Sequence, residues 1–152
     1  MKIQNEQGRT MLEMLGVLAI MGIITYGAIA GINYGMSSYK INQTYSEVQD
    51  VIHGVEDLYS WSKGYPTGAS EIMQAACVND IFSKKCNSAN TEVMSAFGEM
   101  HVQGIDGGNN FEVTVSITDA DERTRLGDMD WDGINVEHDC TSRSNICVFW
   151  PK

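Results

Sequence analysis

From Met14 to Tyr39 the chain runs 26 residues without Asp, Glu, Lys or Arg. Within this run, Met14 to Ile32 supplies 19 almost wholly apolar residues, close to the ~20 that a helix needs to span a bilayer core. No proline interrupts it, but Gly16, Gly22, Gly27, Gly31 and Gly35 are all present. Each glycine costs up to ~1 kcal/mol in a water-exposed helix. In lipid or between helices, small residues instead let backbones approach closely. The pattern predicts a helix packed tightly against its neighbours. From about Lys40 the pattern becomes amphipathic. Ile41, Tyr45, Val48, Ile52, Val55 and Leu58 or Tyr59 recur at steps of three and four, with Gln43, Glu47, Asp50, Glu56 and Asp57 between them. This is the stripe of a helix with one face on a core. Nothing between Arg9 and Trp61 demands a break, although Gly54 weakens the helix. The cluster Lys63-Gly64-Tyr65-Pro66-Thr67-Gly68 ends it. One helix from Arg9 to about Ser62 would measure roughly 80 Å at 1.5 Å per residue.

Beyond that turn the periods shorten. Ser70 to Phe82, with Ile72, Met73, Ala76 and Ile81, reads as one short helix, and Ala89 to Phe97 as a further short turn. Met100 to Gln103 and Phe111 to Ile117 alternate with period two and flank Gly104 to Asn110, which reads as a hairpin loop. Asp119 to Leu126 is predicted to be a short helix, with Asp119 as N-cap and Glu122 three residues on. Ile134 to Val136 and Ile146 to Trp150 are predicted closing strands. The expected fold is α+β: a long N-terminal helix, its hydrophobic half protruding, packed on a head with a small antiparallel sheet of three to four strands.

A length of 152 residues is that of one domain, or one domain with an appendage. The mean hydropathy of −0.20 is ordinary for a soluble chain, but it averages two unlike materials. Up to Glu13 the charges of Lys2, Glu6, Arg9 and Glu13 cancel. From Lys40 onward 8 basic residues face 18 acidic ones, so this part holds the whole net charge of −10. A pI near 4.5 argues against nucleic-acid contact, which needs clustered Lys and Arg.

Glu13 stands at the mouth of the apolar run. A carboxylate there is costly to bury and marks a functional-site hypothesis with a partner to be named. It also fits poorly with a cleaved secretory signal, for which Ala28-Ile29-Ala30 would be the Ala-x-Ala site. Gly8-Arg9-Thr10-Met11-Leu12-Glu13, followed by Met14-Leu15-Gly16-Val17-Leu18-Ala19-Ile20-Met21-Gly22-Ile23, resembles the N-terminus of type IV pilins and pseudopilins. The resemblance implies a leader at residues 1–8 and cleavage between Gly8 and Arg9 by an inner-membrane prepilin peptidase, with N-methylation of Arg9. It also implies a helix over 9–62 with its membrane and filament-core segment at about 14–36, and a head over 63–152. Arg9 stands where the family usually has Phe or Met, and Ala30 where many members have a mid-helix proline. The order of elements in the head resembles type IVb pilins, although the leader is shorter than theirs. The implied assembly residues are Glu13, Arg9 and Thr10. Pairing of the Glu13 carboxylate with a neighbour's amino terminus would set the axial register, because an unpaired charge in an apolar bundle costs several kcal/mol. The Arg9 guanidinium offers a second, bidentate partner.

Cys77, Cys86, Cys140 and Cys147 all lie in the head. An even count on the exported side predicts two disulfides. Of the three pairings, Cys77–Cys86 with Cys140–Cys147 is preferred, because each pair brackets a short polar loop. In the resemblance, the second loop matches the C-terminal disulfide loop of pilins. A zinc site using His138 beside Cys140 is the rival reading, without the Cys-x-x-Cys spacing that would support it. Asp128, Asp130, Asp132 and Gly133, with Asp139 eleven residues after Asp128, have the spacing of a calcium loop. Asn135 replaces the usual apolar eighth residue, and an acidic turn after a short helix is the favoured reading, so no cofactor is expected. His53, His101 and His138 are isolated, and no nucleophile or phosphate-loop pattern emerges. Tyr26, Tyr34, Tyr39 and Tyr45 are expected as interfacial or packing residues.

The reading is a non-enzymatic structural subunit of a type IV pilus or pilus-like filament, serving adhesion, motility, DNA uptake or secretion. Its precursor would cross the inner membrane once, N-terminus in the cytoplasm and head in the periplasm. Its partners would be other pilin subunits, the prepilin peptidase and the inner-membrane assembly platform. The alternatives are a pseudopilin of a type II secretion system and, from another class, a membrane-anchored extracytoplasmic binding domain. Arg9 as the first residue of the mature chain supports a pilin, Gly31 a secretory signal, and Met1 an anchor.

Overall fold

The computed structural model describes residues 6–68, 70–79, 81, 86, 93–138 and 145–150, with side chains from Met11 onward except that of His138. A 54-residue helix, α1, covers Glu6–Tyr59. The chain divides into two compact units, Met1–Ser38 and Tyr39–Lys152. The first is helical throughout its described length. The second contains the end of α1, two short helices, α2 (Glu71–Val78) and α3 (Ala120–Gly127), and five strands. The strands are β1 (Val93–Met94), β2 (Glu99–Ile105), β3 (Asn110–Ser116), β4 (Asn135–His138) and β5 (Asn145–Trp150). They form one antiparallel sheet in the order β1-β2-β3-β5-β4. The fold class is the expected one: a long N-terminal helix and a small antiparallel sheet in an α+β arrangement, consistent with a pilin-like fold.

The core follows from two periodicities meeting. On α1, Ile41, Thr44, Val48, Val51, Ile52 and Val55 are buried, with Tyr45, Leu58 and Tyr59 partly buried at the edges. Thr44 and Val51 thus belong to the stripe that the sequence pattern draws without them. Three- and four-residue steps place all six on one helix face. On the sheet, alternate residues point the same way, and Val93, Met100, Val102, Phe111, Val113, Val115, Ile146 and Val148 are buried in the core cluster, while Thr114 and Cys147 are buried at the alternate positions. Ile72, Met73 and Ala76 of α2, with Ile117, Leu126 and Trp131, complete the cluster. Gly54 is a packing residue: a Cβ there would overlap the Cγ2 methyl of Ile81.

Three sequence expectations change. The expected turn at Ala89 to Phe97 contains a strand, since Val93 and Met94 pair with Met100 and Glu99. Residues 89–92 lie outside those described. Two residues are too few to show period-two alternation, and the turn at Ser95 makes the strand. The Ser95 N–H donates to the Gly98 carbonyl at 2.7 Å, while its Oγ accepts from the Phe97 and Gly98 N–H groups. The glycine-rich loop is shorter than Gly104 to Asn110, because Ile105 already pairs with Asn110. Gly104 is a strand residue. Its glycine is required by the carbonyl of Pro66, which occupies the place of a Cβ. The sheet has five strands, one more than the upper expectation, because β1 was invisible to pattern.

The short helices lie close to expectation. In α3 the Asp119 carboxylate accepts from the Asp121 and Glu122 N–H groups at 2.9 and 3.1 Å, an N-cap satisfying two of the helix's free donors. In α2, Ser70 holds the cap position without a side-chain bond. That helix is shorter than the expected Ser70 to Phe82: it ends at Val78, with Asn79 as its C-cap, and Phe82 itself lies outside the described residues.

Candidate functional site: the exposed apolar helix

In the first unit, the large apolar side chains described, from Met11 onward, are exposed. Of the described side chains, Leu12, Leu15, Leu18, Ile23 and Ile24 are all more than 60% exposed, and Tyr26 is 79% exposed. None of the most apolar stretch is buried. Met14 to Met36 would rise ~35 Å at 1.5 Å per residue, enough for a hydrocarbon core of ~30 Å. By length and composition, α1 therefore carries a candidate membrane span.

The five glycines of this stretch have open space where a side chain would stand. Their register carries more than their number. At about 100° per residue, Gly16, Gly27, Gly31 and Gly35 fall within about 100° of one another, and Glu13 lies in the same arc. Gly22 lies on the other side. The four-residue spacing of Gly27, Gly31 and Gly35 is legible in sequence and is overlooked when glycines are only counted. Small residues four apart let two helix backbones approach closely in an apolar medium.

Gly8, Arg9 and Thr10 occupy the first turns of α1, with side chains outside those described. Arg9 and Glu13 are four residues apart and so share a helix face. Glu13 has a polar or electrostatic partner in this chain. Tyr26, Tyr34 and Tyr39 are exposed. Tyr45 instead packs against Trp131 at 4.7 Å between ring centroids, and its hydroxyl donates to the Asp130 carbonyl at 2.6 Å.

In the second unit, Cys77 and Cys86 form the expected disulfide. Cys147 is also disulfide-bonded and fully buried, while Cys140 lies outside the described residues. Of the calcium candidates, Asp128 follows α3 as its C-cap. The Asp130 carboxylate accepts from the Asp132 N–H at 3.1 Å. Asp132 and Gly133 take left-handed backbone angles, with φ of 51° and 81°. Trp131 anchors the turn: it is buried, and its Nε1 donates to the Leu126 carbonyl at 3.1 Å. Asp139 lies outside the described residues, and among the described residues no three His, Cys, Asp or Glu side chains converge as for a metal. His53 is exposed beside Glu56, and His101 lies on the outward face of β2, partly buried. The side chain of His138 lies outside those described.

No protein-family model and no curated protein matches this chain.

Proposed function

We propose that this chain is a structural subunit of a type IV pilus or a pilus-like filament. The carrying observation is the Gly8-to-Glu13 motif at the head of a helix whose described apolar side chains stand exposed and whose glycines have open space beside them. In this reading, the precursor holds α1 in the inner membrane with residues 1–8 in the cytoplasm and the acidic unit in the periplasm. Cleavage after Gly8 frees the amino group of Arg9. The apolar segments of many subunits then leave the bilayer and bundle together, which replaces lipid contact with helix contact. The face carrying Gly16, Gly27, Gly31 and Gly35 permits close backbone packing there. Glu13, in the same arc, meets the amino terminus of a neighbour and sets the axial register, since a shifted register strands a charge in an apolar medium. Polymerisation through positioned helices is the whole function, and no side chain performs chemistry.

Mass spectrometry of the mature protein tests the processing step. A chain beginning at Arg9 supports the reading, and one beginning at Met1 or Gly31 overturns it. Glu13→Ala tests the register step: the variant is expected in the membrane fraction at normal level, with filament yield lost. Normal filament yield would sink the role of Glu13.

A further inference from the structure

Thr25, Tyr26, Asn33 and Tyr34 are the polar side chains within Met14 to Met36. Two of them are satisfied inside the chain. The Thr25 Oγ1 donates to the Met21 carbonyl at 2.8 Å, and Tyr34 has a partner of its own. Tyr26 and Asn33 make no hydrogen bond with any described residue, and both are exposed. Thr25 is the midpoint of the run, so the neighbouring Tyr26 hydroxyl enters a bilayer near its centre. Hydrocarbon offers it neither donor nor acceptor, and a polar group left unpaired there is costly.

The two unpaired groups share a face. They are seven residues apart, two turns of helix, and fall within about 20° of each other. The same step leads back from Tyr26 to Ala19, and Gly22, Ile29 and Met36 interleave at steps of three and four. This is a heptad seam, the pattern of two helices wound in parallel with knobs in holes. A long side chain on a helix leans over the turn N-terminal to it, so the Tyr26 ring lies at the level of Gly22. That glycine has open space where a side chain would stand, which leaves room for the ring of a second helix. The seam is not the face of Gly16, Gly27, Gly31 and Gly35: Tyr26 points roughly 130° from the middle of that arc.

We propose that two copies of this chain pair in the membrane through this seam, with Tyr26 against Tyr26 and Asn33 against Asn33. The occupant follows from depth. Every inserted copy runs the same way and holds the same groups at the same level, so hydroxyl meets hydroxyl and amide meets amide. Each group both donates and accepts, so each pair closes on itself across a two-fold axis. An Asn on such a seam also specifies one register and one number of strands. Lipid offers no such match. The pairing rests on membrane insertion of α1, and not on cleavage after Gly8 or on filament assembly.

The test uses the full, uncleaved chain in non-ionic detergent micelles. Sedimentation equilibrium at matched solvent density, over a range of protein-to-detergent ratios, is expected to show a reversible dimer. Tyr26→Phe with Asn33→Leu removes the two polar groups and keeps the apolar surface. This double variant is expected to weaken dimerisation about tenfold or more. Gly31→Leu, on the glycine face, is expected to leave it unchanged. In a second readout, Asn33→Cys copies are expected to cross-link to one another under mild oxidation, and Gly31→Cys copies are not. A monomer at every ratio, a dimer that the double variant leaves at full strength, or cross-linking at position 31 in place of 33 would overturn the proposal. Neither readout requires a chain beginning at Arg9 or a filament, so a failure here and a failure of the filament reading are seen separately.

Discussion

Gly108 shows how one residue can be held by two constraints. Its φ is +89°, and a Cβ would stand 2.5 Å from the Tyr65 carbonyl oxygen. Gly108→Ala combines a left-handed backbone penalty of ~1–2 kcal/mol with a backbone overlap, so the second unit is expected to lose about 2–3 kcal/mol in chemical denaturation. Glu112 is constrained by charge. It points outward from β3 and is half-buried, and burial first, then the Glu137 carboxylate, raise its pKa above the usual glutamate range. The folded state therefore holds this proton more tightly than the unfolded chain does. Stability is lost as pH rises from the ordinary glutamate pKa through the raised one. Glu112→Gln is expected to raise the melting temperature at neutral pH, and the gain is expected to vanish below the ordinary glutamate range. A gain of equal size at both pH values would refute the electrostatic account. Neither residue is singled out by sequence, since Gly108 depends on a remote carbonyl and Glu112 on a strand adjacent only in space.

Among the elements, those governed by local chemistry follow the sequence closely. The Asp119 cap needs only its own next three residues, and α3 begins where the spacing of Asp119 and Glu122 says. The stripe on α1 is legible for the same reason, with Thr44 passed over because a hydroxyl does not read as apolar. β1 is different: two residues become a strand only through pairing with β2 and the bridge from Cys86 to Val93. The Cys77–Cys86 link spans nine positions and ties the end of α2 to that bridge. Closing so short a loop removes chain entropy worth ~2–3 kcal/mol from the unfolded state. Replacing both cysteines by serine is expected to destabilise the second unit by about that amount in urea denaturation, with β2, β3 and β5 retaining their slow amide exchange.

At the scale of the whole molecule, the division falls inside α1 and not at its end. Ile41, Val48, Val51, Ile52 and Val55 belong to the core of the second unit. A fragment of residues 39–152 is therefore expected to be water-soluble and cooperatively folded by circular dichroism and size exclusion. A fragment of residues 60–152, lacking that helix face, is expected to aggregate. A fully folded 60–152 fragment would contradict the assigned core. The full chain is expected to partition into detergent because of residues 14–36. In the proposed filament the same segment becomes the shared core. The net charge of −10, carried from Lys40 onward, would then make an acidic, soluble surface.

Sequence by itself determined the materials of this protein: an uncharged, glycine-spaced helix, an amphipathic continuation, and an acidic α+β remainder with cysteines confined to it. Those features are local or periodic, so neighbours along the chain suffice to specify them. The motif from Gly8 to Glu13 is equally a matter of adjacent residues. Tertiary structure alone decided where distant segments meet. It brought the turn at Lys63 to Pro66 onto the β2–β3 hairpin, where Gly64, Gly104 and Gly108 admit backbone against backbone. It placed β5 between β3 and β4, and set Glu112 within the field of Glu137. It also left Trp61 almost fully exposed. Each of these depends on close packing across many residues, which no window of sequence contains.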